Sequence, residues 1–120
     1  MTTGLSIQLL GRVRGGRFSA DASQACSRFE ADRIAVGSRA TDVPGLVLPD
    51  SSVSPKHALI TREGTGWVVQ DVDSDNGIRS LPTAPETDAP LEPGCQARRF
   101  EFTDELYCCV GAVVLRLKAV

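Results

Sequence analysis

Three polar, turn-forming clusters in the first two thirds of the chain carry most of its candidate chemistry. They occupy residues 36–39, 49–58 and 71–77, and short apolar runs separate them. If those runs are strands, the clusters emerge as loops, and loops at one end of a sheet can converge on a ligand. The spacing therefore predicts a binding surface built from loops.

Catalysis at the second cluster is a hypothesis that the sequence disfavours. Ser54 and His57 are close in sequence, as a nucleophile and its general base can be. Such a pair also needs a third group that orients the base. His57 is the only histidine of the chain, and we expect it to be structural. We therefore expect a protein that is not an enzyme.

The acidic residues of the third cluster resemble the start of a calcium-binding loop. Asp71, Asp73 and Asp75 alternate ahead of Asn76 and Gly77, which gives the pattern D-x-D-x-D-N-G. An EF-hand loop also needs an acid about five residues beyond the glycine, together with flanking helices. Residues 78–82 contain no acid. We therefore expect neither a metal ion nor another cofactor.

The four cysteines lack the spacing of a metal site. They are Cys26, Cys95, Cys108 and Cys109, and no C-x-x-C motif occurs. We expect reduced thiols that pack as small core residues. Cys108 and Cys109 are neighbours in an apolar run, so their side chains should point to opposite faces of a strand. A redox or metal role is the alternative.

Short segments rich in Val, Ile and aromatic residues must position the three clusters. They are bounded by Gly, Pro and Asp, and neither a sustained helical period nor an internal repeat is present. This pattern predicts an antiparallel β-sandwich or barrel, formed by a single domain over residues 1–120. Trp67 begins one segment and is expected to anchor the core. The predicted strands span residues 5–10, 17–20, 33–36, 46–48, 58–61, 67–70, 98–102, 106–110 and 112–117.

Two longer segments are predicted to connect strands. Residues 21–32 could carry a helical turn, although we favour a polar connection. Residues 81–93 contain four prolines and three acids, which cannot enter the interior of a sheet. We expect a mobile loop there.

Composition narrows the class of partner. A chain of 120 residues with 42% apolar residues can bury a core of its own. A net charge of −2 lacks the electrostatic footprint of a nucleic-acid binder. No apolar run approaches the roughly 20 residues that span a bilayer, and the N-terminus lacks the features of a signal peptide. We expect an intracellular protein, cytoplasmic or nuclear, that neither binds nucleic acid nor inserts into membranes.

A basic patch surrounds the predicted first hairpin. It consists of Arg12, Arg14 and Arg17. We interpret it as a solvated turn; contact with an acidic partner is the alternative.

The clusters and the segments between them resemble a forkhead-associated (FHA) domain, from about Leu5 to the C-terminus. The resemblance implies an all-β fold, an eleven-stranded antiparallel β-sandwich of the FHA/SMAD type. Loops at one end would bind a partner protein, usually through a peptide that carries phosphothreonine. The matching motifs are Gly37-Ser38-Arg39, Leu48-Pro49-Asp50, Val53-Ser54-x-x-His57-Ala58, Gly66-Trp67-Val68-Val69-Gln70-Asp71 and Ser74-x-Asn76-Gly77.

The resemblance assigns roles to individual residues. Ser54 matches the phosphate-binding serine, and Asn76 matches the asparagine that holds the peptide backbone. His57 matches a histidine that braces the loops from below, and Gly77 would supply a backbone conformation that a side chain would strain. The expected ligand-binding residues are Ser38, Arg39, Ser54, Lys56, Asp75 and Asn76, supported by Gly37, His57 and Gly77.

Three positions depart from the family pattern. Ser38 stands where arginine is usual, and Arg39 follows one residue later. Neighbouring side chains of an extended segment point to opposite faces, so the Arg39 side chain is expected on the face opposite to that of Ser38. Asp75 replaces a frequent threonine; at about 4 Å from a phosphate charge it would be repelled by about 4 kcal/mol at an effective dielectric of about 20. Pro55 offers no backbone donor.

Two functional hypotheses remain open from the sequence. The first is recognition of phosphothreonine peptides through Ser54, Asn76 and a displaced basic group. The second is a phosphate-independent scaffold that helps to assemble a larger complex, such as a secretion machine. The directions of Arg39 and Asp75 would distinguish the two.

Overall fold

The computed structural model describes residues 4–39, 44–91 and 96–120, and these form a sandwich of two β-sheets. The all-β prediction and the count of eleven strands are confirmed. The strands are β1 (Leu5–Arg14), β2 (Arg17–Ala20), β3 (Cys26–Phe29), β4 (Arg33–Gly37), β5 (Gly45–Val47), β6 (Ala58–Glu63), β7 (Gly66–Asp71), β8 (Ile78–Leu81), β9 (Arg99–Phe102), β10 (Glu105–Val110) and β11 (Val113–Ala119).

The two sheets differ in their topology. The six-stranded sheet has the order β2-β1-β11-β10-β8, and β3 pairs with the first half of β1. The five-stranded sheet has the order β5-β4-β6-β7-β9. Pairing is antiparallel throughout the described strands except between β4 and β5, which are parallel. The sandwich is therefore antiparallel, as predicted, except at this one pair.

The core lies between the sheets because the apolar side chains of both alternate inward. Leu5, Ile7 and Leu115 contribute from one sheet, and Ile34 and Trp67 from the other. Each of these five residues is at most 4% exposed. Trp67 is buried in this core, so its predicted role as a core anchor is confirmed. Burial of apolar surface stabilises the fold by about 25 cal/mol per Å².

A second apolar cluster covers the outer face of the six-stranded sheet. Its buried members are Phe18, Leu81, Cys109 and Val114, and Leu91 packs against them. Cys108, one residue earlier, lies in the main core instead, so the prediction that the neighbouring cysteines occupy opposite faces is confirmed.

The thiol environments differ across the chain. Burial raises the pKa of Cys108 to about 12 and that of Cys109 to about 11. Cys26 is exposed on β3, so the expectation that it packs as a core residue is wrong. Cys95 lies outside the described residues.

The structure corrects the expectation that residues 21–32 form a connection without a strand. The sequence favours a polar connection there, but Cys26–Phe29 forms β3, which pairs with β1 from Gln8 to Leu5. The burial pattern of β3 alternates between exposed and half-buried side chains. A strand of this kind is stabilised by its backbone ladder and leaves almost no apolar signal in the sequence.

The proline-rich segment after β8 is a loop, as predicted, although its described part is hydrogen-bonded along β2. Phe18 N–H donates to the Ala89 carbonyl at 3.1 Å, and Asp88 N–H donates to the Phe18 carbonyl at 2.8 Å. Leu91 N–H donates to the Gly16 carbonyl at 2.9 Å. We call residues 82–91 the strap. The prediction of a mobile loop did not anticipate these bonds.

Within the described residues, no helix has the length and apolarity that crossing a membrane requires.

Candidate functional site

Three loops meet at one end of the sandwich, where β4, β5 and β7 end. They begin after Gly37, Val47 and Asp71. The N–H of Ser38 donates to the Ser54 carbonyl at 3.0 Å, and the N–H of Asp75 donates to Ser54 Oγ at 3.0 Å. The second loop therefore lies between the other two and contacts both. Residues 40–43 of the first loop are outside the described residues.

The Ser54 hydroxyl lies between the second and the third loop. It is half-buried, and its oxygen already accepts the Asp75 N–H. No acceptor for the hydroxyl proton is present among the described residues, so the proton can be directed outward. A hydroxyl whose oxygen is held by a backbone donor is oriented before a ligand arrives.

His57 lies beneath the loops and joins two of them. Its ring is fully buried, with 0% of the residue exposed. Nδ1 accepts the Ser54 N–H at 3.0 Å, which leaves the proton on Nε2, and Nε2 donates to the Gly77 carbonyl at 2.8 Å. The ring contacts the Ser54 backbone and not the Ser54 hydroxyl, so the two side chains do not form a nucleophile–base pair.

Two glycines permit the close approach of these loops. Gly77 has a φ of +74°, a left-handed conformation that costs a side chain roughly 1 kcal/mol or more. Gly37 has an ordinary φ, but a Cβ there would overlap the Pro55 carbonyl oxygen. The expectation that Gly77 supplies a backbone conformation that a side chain would strain is confirmed.

Asn76 is exposed but anchored on one side. Its Nδ2 donates to the Ser52 carbonyl at 2.7 Å. The second amide proton and Oδ1 have no partner among the described residues, and this donor–acceptor pair could bind the backbone of a peptide.

Some charged residues of the three loops are exposed to solvent, and one of them forms an ion pair. Arg39, Lys56 and Asp75 are exposed. Neither Arg39 nor Lys56 takes part in the ion pairs formed by the described residues, and neither side chain bonds to Ser54. Asp73 pairs with Arg98 outside the site.

The acidic cluster forms turns within the protein. Asp71 Oδ1 accepts the Ser74 N–H at 2.9 Å, and the hydroxyl of Ser74 accepts the Gly77 N–H at 2.9 Å. Within the described residues, no group of three or more His, Cys, Asp or Glu side chains could hold a metal ion.

Two residues to which the sequence analysis assigned no role belong to the candidate site. Ser52 provides the carbonyl that binds Asn76, and Asp50 caps the turn before it through Oδ1, which accepts the Ser52 N–H at 2.9 Å. An Asp followed two residues later by Ser is a recognisable turn signal. A carbonyl acceptor, in contrast, has no side-chain signature, so sequence alone could not reveal the contact with Asn76.

Comparison with known proteins supports the motif match. The family model described as FHA domain matches residues 34–96. The FHA domain of the CT664 protein from Chlamydia trachomatis has a TM-score of 0.66 at 19% identity, with 96% of each chain covered. The FHA domain of a hypothetical protein from Arabidopsis thaliana also has a TM-score of 0.66 at 19% identity, covering 99% of this chain and 87% of that one.

A third structure is EmbR from Mycobacterium tuberculosis, in complex with a low affinity phosphopeptide. It has a TM-score of 0.60 at 17% identity, covering 95% of this chain and 24% of that one. At these identities the likeness establishes the fold. No curated protein sequence matches the chain.

Proposed function

This chain belongs to the FHA domain family, and on that premise we propose that it is a non-catalytic module that binds a phosphothreonine-containing segment of a partner protein. The observation that carries the proposal is the Ser54 hydroxyl: its oxygen is held by the Asp75 N–H, and its proton has no acceptor among the residues that the structure describes. A phosphothreonine presents nearly two negative charges and three strong acceptor oxygens. Hydrogen bonds to such a group are about twice as strong as those between neutral groups.

Asn76 completes the proposed site. Its second amide proton and Oδ1 would bind the peptide backbone beside the phosphothreonine. Arg39 and Lys56, both exposed, would add a diffuse attraction. Exposed ion pairs of this kind contribute at most about 1 kcal/mol. We therefore expect modest affinity, and the phosphopeptide complex of the structurally similar EmbR supports this class of ligand.

The alternative is a scaffold domain that binds its partner without phosphate. One observation favours it: Asp75, whose N–H donates to the Ser54 hydroxyl, also carries an exposed carboxylate. A negative charge there opposes a phosphate. Ser38, which stands where arginine is usual in the family, supplies no positive charge to offset it.

A binding titration distinguishes the two functions. Phosphothreonine peptides and their unphosphorylated counterparts would be titrated against the wild-type chain by calorimetry. We expect Ser54→Ala to weaken phosphopeptide binding about 10- to 150-fold, because a hydrogen bond to a charged group contributes about 1.5–3 kcal/mol. Asn76→Ala should also weaken it. Thr103→Ala, an exposed change in the turn between β9 and β10, is the control.

Asp75 provides a second test with a matched control. Asp75→Asn should tighten phosphopeptide binding about fivefold. Because Asp75 is exposed, the dielectric of water applies, and two unit charges at about 4 Å then interact by about 1 kcal/mol and not the roughly 4 kcal/mol expected near a protein surface. Asp73→Asn removes the same charge from the same loop, but from a residue already paired with Arg98, and should change affinity less. Equal binding of both peptide forms, unaffected by Ser54→Ala, would establish the phosphate-independent alternative.

A further inference from the structure

Ser52 is the point at which three parts of the chain meet beside the proposed site. Its carbonyl accepts the Asn76 amide proton at 2.7 Å. Its hydroxyl oxygen accepts the N–H of Ala112, in the turn between β10 and β11, at 2.9 Å. The hydroxyl proton is donated to Asp50 Oδ1 at 2.7 Å. Ser52 is thus fixed by its own loop and by the opposite sheet.

Asp50 is the buried member of this network. Its side chain is only 8% exposed, and its second oxygen faces the guanidinium of Arg12 on β1. A carboxylate at this depth is costly unless it is paired and hydrogen-bonded. Oδ1 accepts the N–H and the hydroxyl of Ser52, and the Arg12 guanidinium forms an ion pair with Oδ2, which accepts no hydrogen bond from the described residues.

We propose that Asp50 and Ser52 are positioning residues, which orient the Asn76 carboxamide for ligand binding, and that Arg12 supports them from β1. The proposal rests on the function proposed above, since it assumes that Asn76 contacts the partner. An unanchored asparagine on an exposed loop would lose rotamer freedom when it binds. Anchoring one amide proton on the Ser52 carbonyl removes much of that cost before the partner arrives.

The first test examines Asn76 without any ligand. In the ¹⁵N-labelled chain, NMR should show two well-separated Asn76 side-chain amide protons, one with the small temperature coefficient of a hydrogen-bonded proton. In Asp50→Ala this difference should shrink, because the Ser52 carbonyl is no longer fixed. Asp50→Asn keeps an acceptor for the Ser52 N–H and should restore much of the signal. Unchanged Asn76 signals in Asp50→Ala would overturn the proposal, whether or not a phosphopeptide binds.

The second test measures coupling in a double-mutant cycle with the phosphothreonine peptide. Asp50→Ala should weaken binding about two- to tenfold, the cost of ordering one side chain. In the Asn76→Ala background the same change should have almost no effect, because its action passes through Asn76. An equal loss in both backgrounds would refute positioning. If the wild-type chain binds no phosphopeptide, the proposed function fails, and the NMR result alone decides the positioning claim.

The chain supplies a matched control and a milder variant. Asp21 caps an exposed turn with the same pair of bonds, accepting the Ser23 N–H at 2.9 Å and the Ser23 hydroxyl at 2.7 Å. Its carboxylate interacts with Arg12 only through space and bonds to neither Ser52 nor Asn76, so Asp21→Ala should change the Asn76 signals and the affinity far less than Asp50→Ala does. If Asp50→Ala does not fold, Arg12→Gln can be tested in its place. This variant keeps the turn that Asp50 caps and removes only the positive charge that faces the Asp50 carboxylate. It should shift the Asn76 signals in the same direction by less, and no shift would count against the proposal.

Discussion

The buried imidazole of His57 allows a quantitative prediction about stability. In His57→Ala the Ser54 N–H loses its acceptor, which costs about 1–3 kcal/mol if no water replaces it. The Gly77 carbonyl loses one bond worth about 0.5–1.5 kcal/mol, but it keeps the Gly111 N–H at 3.3 Å. The space left by the ring adds about 1–2 kcal/mol at about 24 cal/mol per Å³ of cavity.

Together these contributions predict that His57→Ala lowers the free energy of unfolding by about 3–6 kcal/mol. For a domain of this size, that corresponds to a fall in Tm of about 10–20 °C. Thermal unfolding followed by circular dichroism measures it directly. Amide hydrogen exchange should also show faster exchange at Ser54, whose N–H contacts Nδ1 in the wild-type chain.

Matched variants separate packing from hydrogen bonding at this position. His57→Leu keeps most of the buried volume but makes neither bond, and should still lose about 2–4 kcal/mol. His57→Asn offers an acceptor near the position of Nδ1 and should lose less than the alanine variant. A Tm for His57→Ala within about 2 °C of wild type would refute the reasoning, and a wild-type Tm for His57→Leu would show that packing alone matters.

Three further predictions concern the packing of the loops and the buried thiols. Gly37→Ala should lower the free energy of unfolding by about 1–3 kcal/mol in urea denaturation, because its Cβ would overlap backbone of the neighbouring loop; unchanged stability would mean that this loop can shift at no cost. At pH 8, a thiol reagent should label Cys26 in the native chain, whereas Cys108 and Cys109 should react only after unfolding, as peptide mass spectrometry can resolve. Because burial raises the pKa of these two thiols from 9.0, the unfolded chain releases their protons first, so stability should decline as pH rises above 9. Cys108→Val should reduce that decline.

The sequence predicted the elements that carry an apolar pattern. The strand around Trp67 and the last strand were located to within two residues at each end, because buried side chains fix both their type and their spacing. Two strands were missed. The residues of β3 are mostly polar, and only its partner, β1, makes it a strand; in β8, the polar Arg79 and Ser80 separate the two buried residues, Ile78 and Leu81. The parallel direction of β5 was missed for a related reason, since strand direction depends on the path of the chain and not on composition.

The sequence predicted the side chains of the candidate site more completely than the contacts that its backbone makes. Ser54, His57 and Asn76 were identified through the resemblance to an FHA domain, and the structure brings them together. Their roles in ligand binding remain predictions. The network below Asn76 was missed, because the Ser52 carbonyl could have been contributed by any residue at that position. Arg12 lies about forty positions from Asp50 in the chain, and only the sandwich brings the two into contact.

The strap has a consequence for solubility. An uncovered edge strand exposes backbone groups that can pair with another molecule and start aggregation. Here the Phe18 N–H and carbonyl of β2 are already bonded to residues 88 and 89, and Pro90 lies opposite Arg17 without an N–H to extend the ladder. The prolines that exclude this segment from the sheet interior thus make it a suitable cover for the sheet margin, and the chain should resist strand-to-strand association along β2.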